Sequence, residues 1–393
     1  MKSCKLCIFL THPSQHAAPL FNRLSEMPEI NLKVIYMFDH GMVSSWDEDF
    51  LAEIKFSNAI TAKYSFVVLS PNEPYTRYTF LNVNSPKLME EVLSFRPDYV
   101  WCFGYTSLAS WKLVFHPFRK YKVCFQGDST LLHKRAFWKR IVKKMVLKLF
   151  FNRVDILFSL GENNEKYYHY YGVSSSKIAR ATLPVEDEYL LKAIAGQENT
   201  NESVRKEMGF DSDIFLIGFS GKLIKRKRPT DIIYLVSQLR KSGANVGAVF
   251  MGSGSLAVEL ENLVQETDLK PWIRFLGFVN QEKIGRYINA VNILCMPSSE
   301  EPFGMSVIEA TFFGKPILAS DSVGCVGNND VARPGVNALI FKTGDIDDLK
   351  EKTMKVIKDK EMLRRMGQES VGLSKNFSAK NVAKVIKDTL LNA

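Results

Sequence analysis

Residues 301–310 read EPFGMSVIEA, two glutamates eight positions apart with Pro302, Phe303 and Gly304 between the first and an apolar run. On one continuous helix that spacing would turn Glu309 about 80° from Glu301. The stretch follows NILCMPSS, an apolar run that reads as a buried strand, and the Pro-Phe-Gly turn suits a tight entry into a helix. Glu301 is thus expected before the helix and Glu309 about one turn inside it. The amides of Gly304 and Met305 then fall among the first, unpaired donors of that helix and form an anion site with a carboxylate on either side. A phosphate flanked by hydroxyls suits such a cradle. The plainer reading is a solvated loop acid followed by a glutamate that favours the helix dipole.

A strand running through a turn into a helix is the repeating unit of a parallel α/β sheet, and outward from residue 301 the unit recurs. After residue 213, IFLIGFSG, ANVGAVFMGSG, WIRFLGF, NILCMPS and KPILAS read as strands, separated by helices over PTDIIYLVSQLRKS, LAVELENLVQET and QEKIGRYINA. Before it, KLCIFLT, NLKVIYMF, SFVVL, DYVWCFGY, KVCFQ and DILFSL alternate with helices such as APLFNRLSEM and SPKLMEEVLSF. Continuous apolar strands between amphipathic helices imply sheets covered on both faces. With 393 residues, 46% of them hydrophobic, the chain can build two cores. Two Rossmann-like, doubly wound domains are therefore expected, over residues 1–184 and 185–375, with a C-terminal helix in 376–393 packing back on the first. In such sheets ligands gather at the carboxyl ends of the strands.

Composition removes several alternatives. No apolar run reaches the roughly 18 residues a bilayer crossing needs, and the opening MKSCKLCIFLTHPSQ reads as a first strand, not a signal peptide. Six cysteines sit mostly in apolar runs, as reduced, buried thiols do, so a cytoplasmic setting is expected. Cys4 and Cys7 make a CxxC with no second half to complete a zinc set. The formal charge of +10 is local: residues 112–148 hold eleven Lys or Arg and one acid, Asp128, and the rest of the chain balances.

A second anion site is expected where strand IFLIGFSG ends in GKLIKRKRP. Lys222 follows the glycine turn at Gly221 and Lys227 lies five residues on, so two ammonium groups can meet a diphosphate there. Lys225, Arg226 and Arg228 read as solvated, and the run taken alone also suits an exposed basic loop or nucleic acid.

Together these stretches resemble the retaining nucleotide-sugar glycosyltransferases of the GT-B fold that carry two glutamates separated by seven residues. The likeness extends over GKLIKRK, VFMGSGS, the long segment FLGFVNQEKIGRYINAVNILCMPSSEEPFGMSVIEATFFGKPILASDSVG and VARPGVNALIF, in family order. It implies two domains with a cleft between them. It also implies that Phe303, Gly304 and Met305 meet the donor diphosphate, that Glu309 holds the ribose hydroxyls, and that Glu301 contacts the transferred sugar. Lys222 and Lys227 match the positions that neutralise the leaving diphosphate, with Gly221, Gly252 and Phe278 lining the donor site. THPSQHAAPLFNRL resembles the strand-to-helix loop of members acting on cell-surface saccharides, with His16 and Ala17 in place of paired glycines. UDP is the expected nucleotide and GDP the alternative, and no cofactor or metal is implied.

For the acceptor side, Asp128 in FQGDST is the candidate orienting or proton-accepting group, with a helix N-cap alongside Ser129 and Thr130 as the alternative. His12 and His16 compete for that role, and Gly104 and Tyr105 are expected to line the same region, with His133 on the surface. Asp47 and Asp49 stand in DxD spacing, far in sequence from both phosphate loops, and read as a surface or acceptor-side loop, not a metal site. KRAFWKRIVKKMVLKLFF lays Trp138, Ile141, Val142, Met145 and Leu149 on one side of a helix, expected to pack on the sheet. Lys139, Arg140, Lys143, Lys144 and Lys148 fall on the other. The basic face over 134–150 suggests docking on an anionic membrane and a lipid-linked saccharide acceptor. Two rivals stand beside this reading. One is a GT-B sugar-nucleotide epimerase; the other is a basic nucleic-acid-binding protein, against which no helix-turn-helix, RNP or zinc-finger pattern is visible.

Overall fold

The central apolar runs of the sequence become strands whose side chains are covered on both faces, while the edge strand formed by SFVVL stays partly exposed. The computed structural model describes the chain apart from residues 1–2, 15, 43–44, 48–51, 55–61, 74–77, 133–136, 186–189, 191, 193–194 and 196–199, and apart from the side chains of 45–47, 52–54 and 137–140. The chain divides into two units, one of residues 1–46, 53–184 and 377–393, the other of 47–52 and 185–376.

The first unit contains β1 (Cys4–Leu10), β2 (Ile30–Tyr36), β5 (Ser65–Val68), β6 (Tyr99–Phe103), β7 (Lys122–Gln126), β8 (Ile156–Ser159) and β9 (Ile178–Arg180). A separate ribbon pairs β3 (Ser45–Asp47) with β4 (Ala52–Ile54). The main sheet is parallel, in the order β5-β2-β1-β6-β7-β8-β9. One face packs Phe9, Val100, Phe125 and Leu157 against Phe150, Phe151 and Tyr168. The other packs Ile8, Tyr36, Trp101 and Phe158 against Phe21, Ile386 and Leu390. The last helix, Ala379–Asn392, thus joins the first unit, where the Tyr99 hydroxyl donates to the Leu390 carbonyl at 2.8 Å.

The second unit repeats the plan with β10 (Phe215–Ser220), β11 (Val246–Met251), β12 (Ile273–Phe275), β13 (Ile293–Met296), β14 (Ile317–Ser320) and β15 (Ala338–Phe341). Its order is β12-β11-β10-β13-β14-β15, again parallel. Going outward from β10, the chain first builds one half of the sheet and then returns to build the other. The order therefore reverses between β10 and β13, where Ile217 pairs with Ile293.

The helix Phe137–Asn152 corrects one expectation. Leu147, Phe150 and Phe151 are the buried positions, and Ile141, Val142, Met145 and Leu149, expected against the sheet, face solvent. The helix carries two apolar stripes, and the aromatic one wins the sheet because Phe150 and Phe151 each meet Phe125 at 5.4 Å between ring centres. Trp138, Lys139 and Arg140 lie outside the described side chains. Among the described residues no helix is long and apolar enough to cross a membrane.

Candidate functional site

Because β10 and β13 are neighbours, the loops leaving their carboxyl ends are brought side by side. The loop after β10 is GKLIKRK (221–227) and the loop after β13 is PSSEEPFG (297–304). They are tied by the Ser299 amide and hydroxyl, which donate to the Arg226 carbonyl at 2.8 and 3.1 Å. From the other side β11 adds GSG at 252–254. The Gly221 amide donates to the Met251 carbonyl at 3.0 Å and the Leu223 amide to the Ser253 carbonyl at 2.8 Å. A Cβ on Gly252 would stand 1.9 Å from the Gly221 carbonyl oxygen, so this approach requires glycine.

The turn after β13 is held open from behind. Gly324 donates to the Glu301 carbonyl at 2.9 Å and Cys325 to the Phe303 carbonyl at 3.0 Å. Gly304, with φ +111°, turns the chain into the helix Met305–Phe312. The opening amides of an α-helix lack acceptors within it, so the Gly304–Met305 turn sets the open start of a helix at the end of β13, a geometry that suits an anion.

Glu301 is buried and forms an ion pair with the Lys227 ammonium, which the loop after β10 carries across from the neighbouring strand. Phe303 is buried beside it, Lys222 is half-buried at the glycine turn, and Phe278 is half-buried in the loop after β12. Lys225 and Arg226 are exposed, as expected. Arg228 is half-buried and paired: it binds both carboxylate oxygens of Asp231 at 2.7 and 2.9 Å, in the first turn of the helix Pro229–Lys241.

Glu309 lies in the helix that Gly304 opens. Burial pushes its carboxyl up to about 7, partly offset by a hydrogen bond from the Gln281 side chain. Gln281 opens the helix Gln281–Ala290 and carried no signal in the sequence. A carboxyl whose folded-state pKa exceeds its unfolded value keeps a proton that the unfolded chain has released. Its contribution to stability is full below about pH 4.5 and is lost as pH rises through about 7, a change on the order of 3 kcal/mol. Glu309→Gln is expected to flatten that slope in urea titrations run between pH 5 and 8.

In the first unit the candidate residues also lie at carboxyl ends, after β1, β6 and β7. The His12 ring stacks on Tyr78 with centres 5.2 Å apart, and burial holds both His12 and His16 down to about 4, so both are neutral near pH 7. His40, which no motif singled out, hydrogen-bonds the Tyr78 hydroxyl through Nδ1 at 2.6 Å and the Glu73 carbonyl through Nε2 at 2.9 Å. Gly104, with φ +74°, turns the chain after β6. The Tyr105 hydroxyl then meets Ser129 Oγ at 3.1 Å and the Tyr167 hydroxyl at 2.8 Å. Burial raises the Tyr105 phenol, but hydrogen bonds from Lys143, Ser129 and Tyr167 outweigh it and leave the pKa lowered. Asp128 is exposed at the end of β7, and the next described helix begins only at Phe137, so the N-cap alternative is not met. His133, Asp49 and the Asp47 side chain lie outside the described residues.

Two doubly wound parallel-sheet units of this kind define the GT-B fold. HepE of Anabaena, crystallised in complex with UDP, matches with a TM-score of 0.76 at 16% identity over 100% of both chains. The lipopolysaccharide outer core galactosyltransferase WaaB matches at 0.68 and 15% over 99% of both. Within that fold, residues 200–371 match the family described as Glycosyl transferases group 1. Over 190 residues the chain is 30% identical to the D-inositol 3-phosphate glycosyltransferase of Corynebacterium efficiens, covering 47% of this chain and 44% of that protein. The chain spans less than half the length of the curated relatives it matches.

Proposed function

We propose that this chain is a retaining glycosyltransferase, moving a sugar from a nucleotide-sugar donor to a saccharide acceptor in cell-surface polysaccharide or glycoconjugate synthesis. The observation that carries the reading is the meeting of Lys227, Glu301 and the Gly304–Met305 turn at the strand-order reversal of the second unit. Lys222, Lys227 and the turn amides take the diphosphate, Glu309 takes the ribose hydroxyls, and Gly221, Gly252, Phe278 and Phe303 line the donor. Glu301 takes hydroxyls of the transferred sugar once donor binding draws Lys227 onto phosphate. The UDP bound to HepE supports UDP as the nucleotide, with GDP the alternative.

In the transfer, the bond between the anomeric carbon and the diphosphate oxygen breaks and the acceptor oxygen bonds to that carbon from the same face. Negative charge grows on the departing phosphate, where fixed cations and amides stabilise the transition state. The acceptor belongs to the first unit, with Asp128, past the end of β7, orienting its hydroxyl or accepting the proton, and neutral His12 and His16, past the end of β1, as the alternatives. A lipid-linked acceptor and an anionic membrane surface met by the 134–150 segment complete the reading. Six buried free thiols accord with a cytoplasmic setting.

The diphosphate charge is met by cations and amides, so no metal is needed: EDTA is expected to leave the transfer rate unchanged. Complete loss, restored by magnesium or manganese, would move the role to Asp47 and Asp49. The reaction class is tested by proton NMR of the product from an α-linked donor. An α-linked product is expected; a β-linkage would remove the retaining assignment, and epimerised nucleotide sugar formed without acceptor would identify an epimerase.

A further inference from the structure

The helix Phe137–Asn152 turns its larger apolar stripe to solvent. Ile141, Val142, Met145, Val146 and Leu149 are 39, 58, 64, 42 and 57% exposed, and at helical spacing they share one side over two turns. Such a contiguous patch differs from singly scattered surface apolar residues. The opposite side is fixed in the unit by Leu147, Phe150 and Phe151. Two of the lysines help to hold it there: Lys143 lies over the rings of Tyr105 and Tyr167 at 5.4 and 5.2 Å, and Lys144 over that of Tyr170 at 4.6 Å. Phe118, 82% exposed, stands in a loop whose Arg119 donates to the Arg153 carbonyl at 2.8 Å, just past the end of this helix.

Charge identifies the occupant. Between Asp128 and Asp155 the chain has eight Lys or Arg and no acid. A second copy of this chain would bring like charge against like, whereas an anionic lipid surface complements it. An apolar stripe bordered by lysines is the form of a helix that lies in the plane of the bilayer interface with its apolar side sunk among the acyl chains.

We propose that this helix enters the interface of an anionic bilayer by the stripe Ile141, Val142, Met145, Val146 and Leu149. The proposal rests on the membrane partner named above and changes what does the holding: lysines bring the protein to the surface and apolar burial retains it. Full-length protein is tested by co-sedimentation with mixed phosphatidylcholine–phosphatidylglycerol vesicles, with UDP binding as the control for folding.

Met145→Ser with Leu149→Ser, which changes no charge, is expected to lower vesicle partitioning about a hundredfold. Part of the wild-type binding is expected to persist in about 1 M salt, where the Debye length shrinks to about 3 Å. Binding of the double variant equal to wild type, with release by salt alone, would overturn insertion and leave an electrostatic contact. No wild-type binding at low salt would overturn the membrane partner as well, while nucleotide binding and turnover on a lipid-free acceptor would still stand. Concentration-dependent self-association, abolished by the same two substitutions, would give the stripe to a second copy and overturn the proposal.

Discussion

Lys227→Ala is expected to slow sugar transfer about a hundredfold. The loop after β10 carries the ammonium to the end of β13, where it pairs with Glu301; on the proposed assignment donor binding draws it onto the diphosphate, so it is in place before charge develops on the leaving phosphate. Removing one such preorganised donor costs about 3 kcal/mol of transition-state stabilisation. The substitution also leaves the Glu301 carboxylate buried without its cation, which destabilises the loop. Lys222→Ala, half-buried at the adjacent glycine turn, is the companion variant and is expected to show a rate loss of similar size. Steady-state rates at saturating donor, beside thermal melts of both variants, separate chemistry from folding. Full activity in both folded variants would remove the phosphate assignment.

Glu309→Ala is expected to weaken binding of free UDP by roughly ten- to a hundredfold, the loss that follows when hydrogen bonds to a charged carboxylate are removed. The ribose hydroxyls are present in donor and product alike, so the loss extends to both. Glu301→Ala is expected to behave differently. It frees Lys227 from its ion pair, leaving UDP affinity undiminished, while turnover falls and selectivity for the sugar blurs. With the ribose hydroxyls donating to the ionised form of Glu309, as proposed, UDP affinity is also expected to rise with pH through about 7, and not in Glu309→Gln. Calorimetry on the variants reads all three effects. Equal loss of UDP affinity in Glu301→Ala and Glu309→Ala would contradict the division of roles.

Strand runs such as IFLIGFSG and NILCMPSS were legible because burial on both faces demands continuous apolar residues, and the glycine turns that end them were legible for the same local reason. Strand order is not local. That β10 and β13 are neighbours, and hence that Lys227 meets Glu301 across 74 positions, follows from how the sheet is wound. Gln281 beside Glu309 and His40 beside Tyr78 were missed for a similar reason, since each is an ordinary polar residue until the fold sets it against a buried group. The helix at Phe137–Asn152 failed differently. Its sequence offers two apolar stripes of comparable strength, and amphipathic spacing cannot say which one the aromatic cluster around Phe125 selects.

Occupancy of the second unit's cradle by a nucleotide sugar is measured most directly by titrating isotopically labelled UDP-glucose and GDP-mannose into the wild type and Glu309→Ala. Saturable binding of one of the two is expected in the wild type, displaced by the matching free nucleotide, unaffected by excess nucleic acid and strongly weakened in Glu309→Ala. Binding of neither donor, with tight binding of nucleic acid by the same preparation, would contradict a glycosyltransferase donor site.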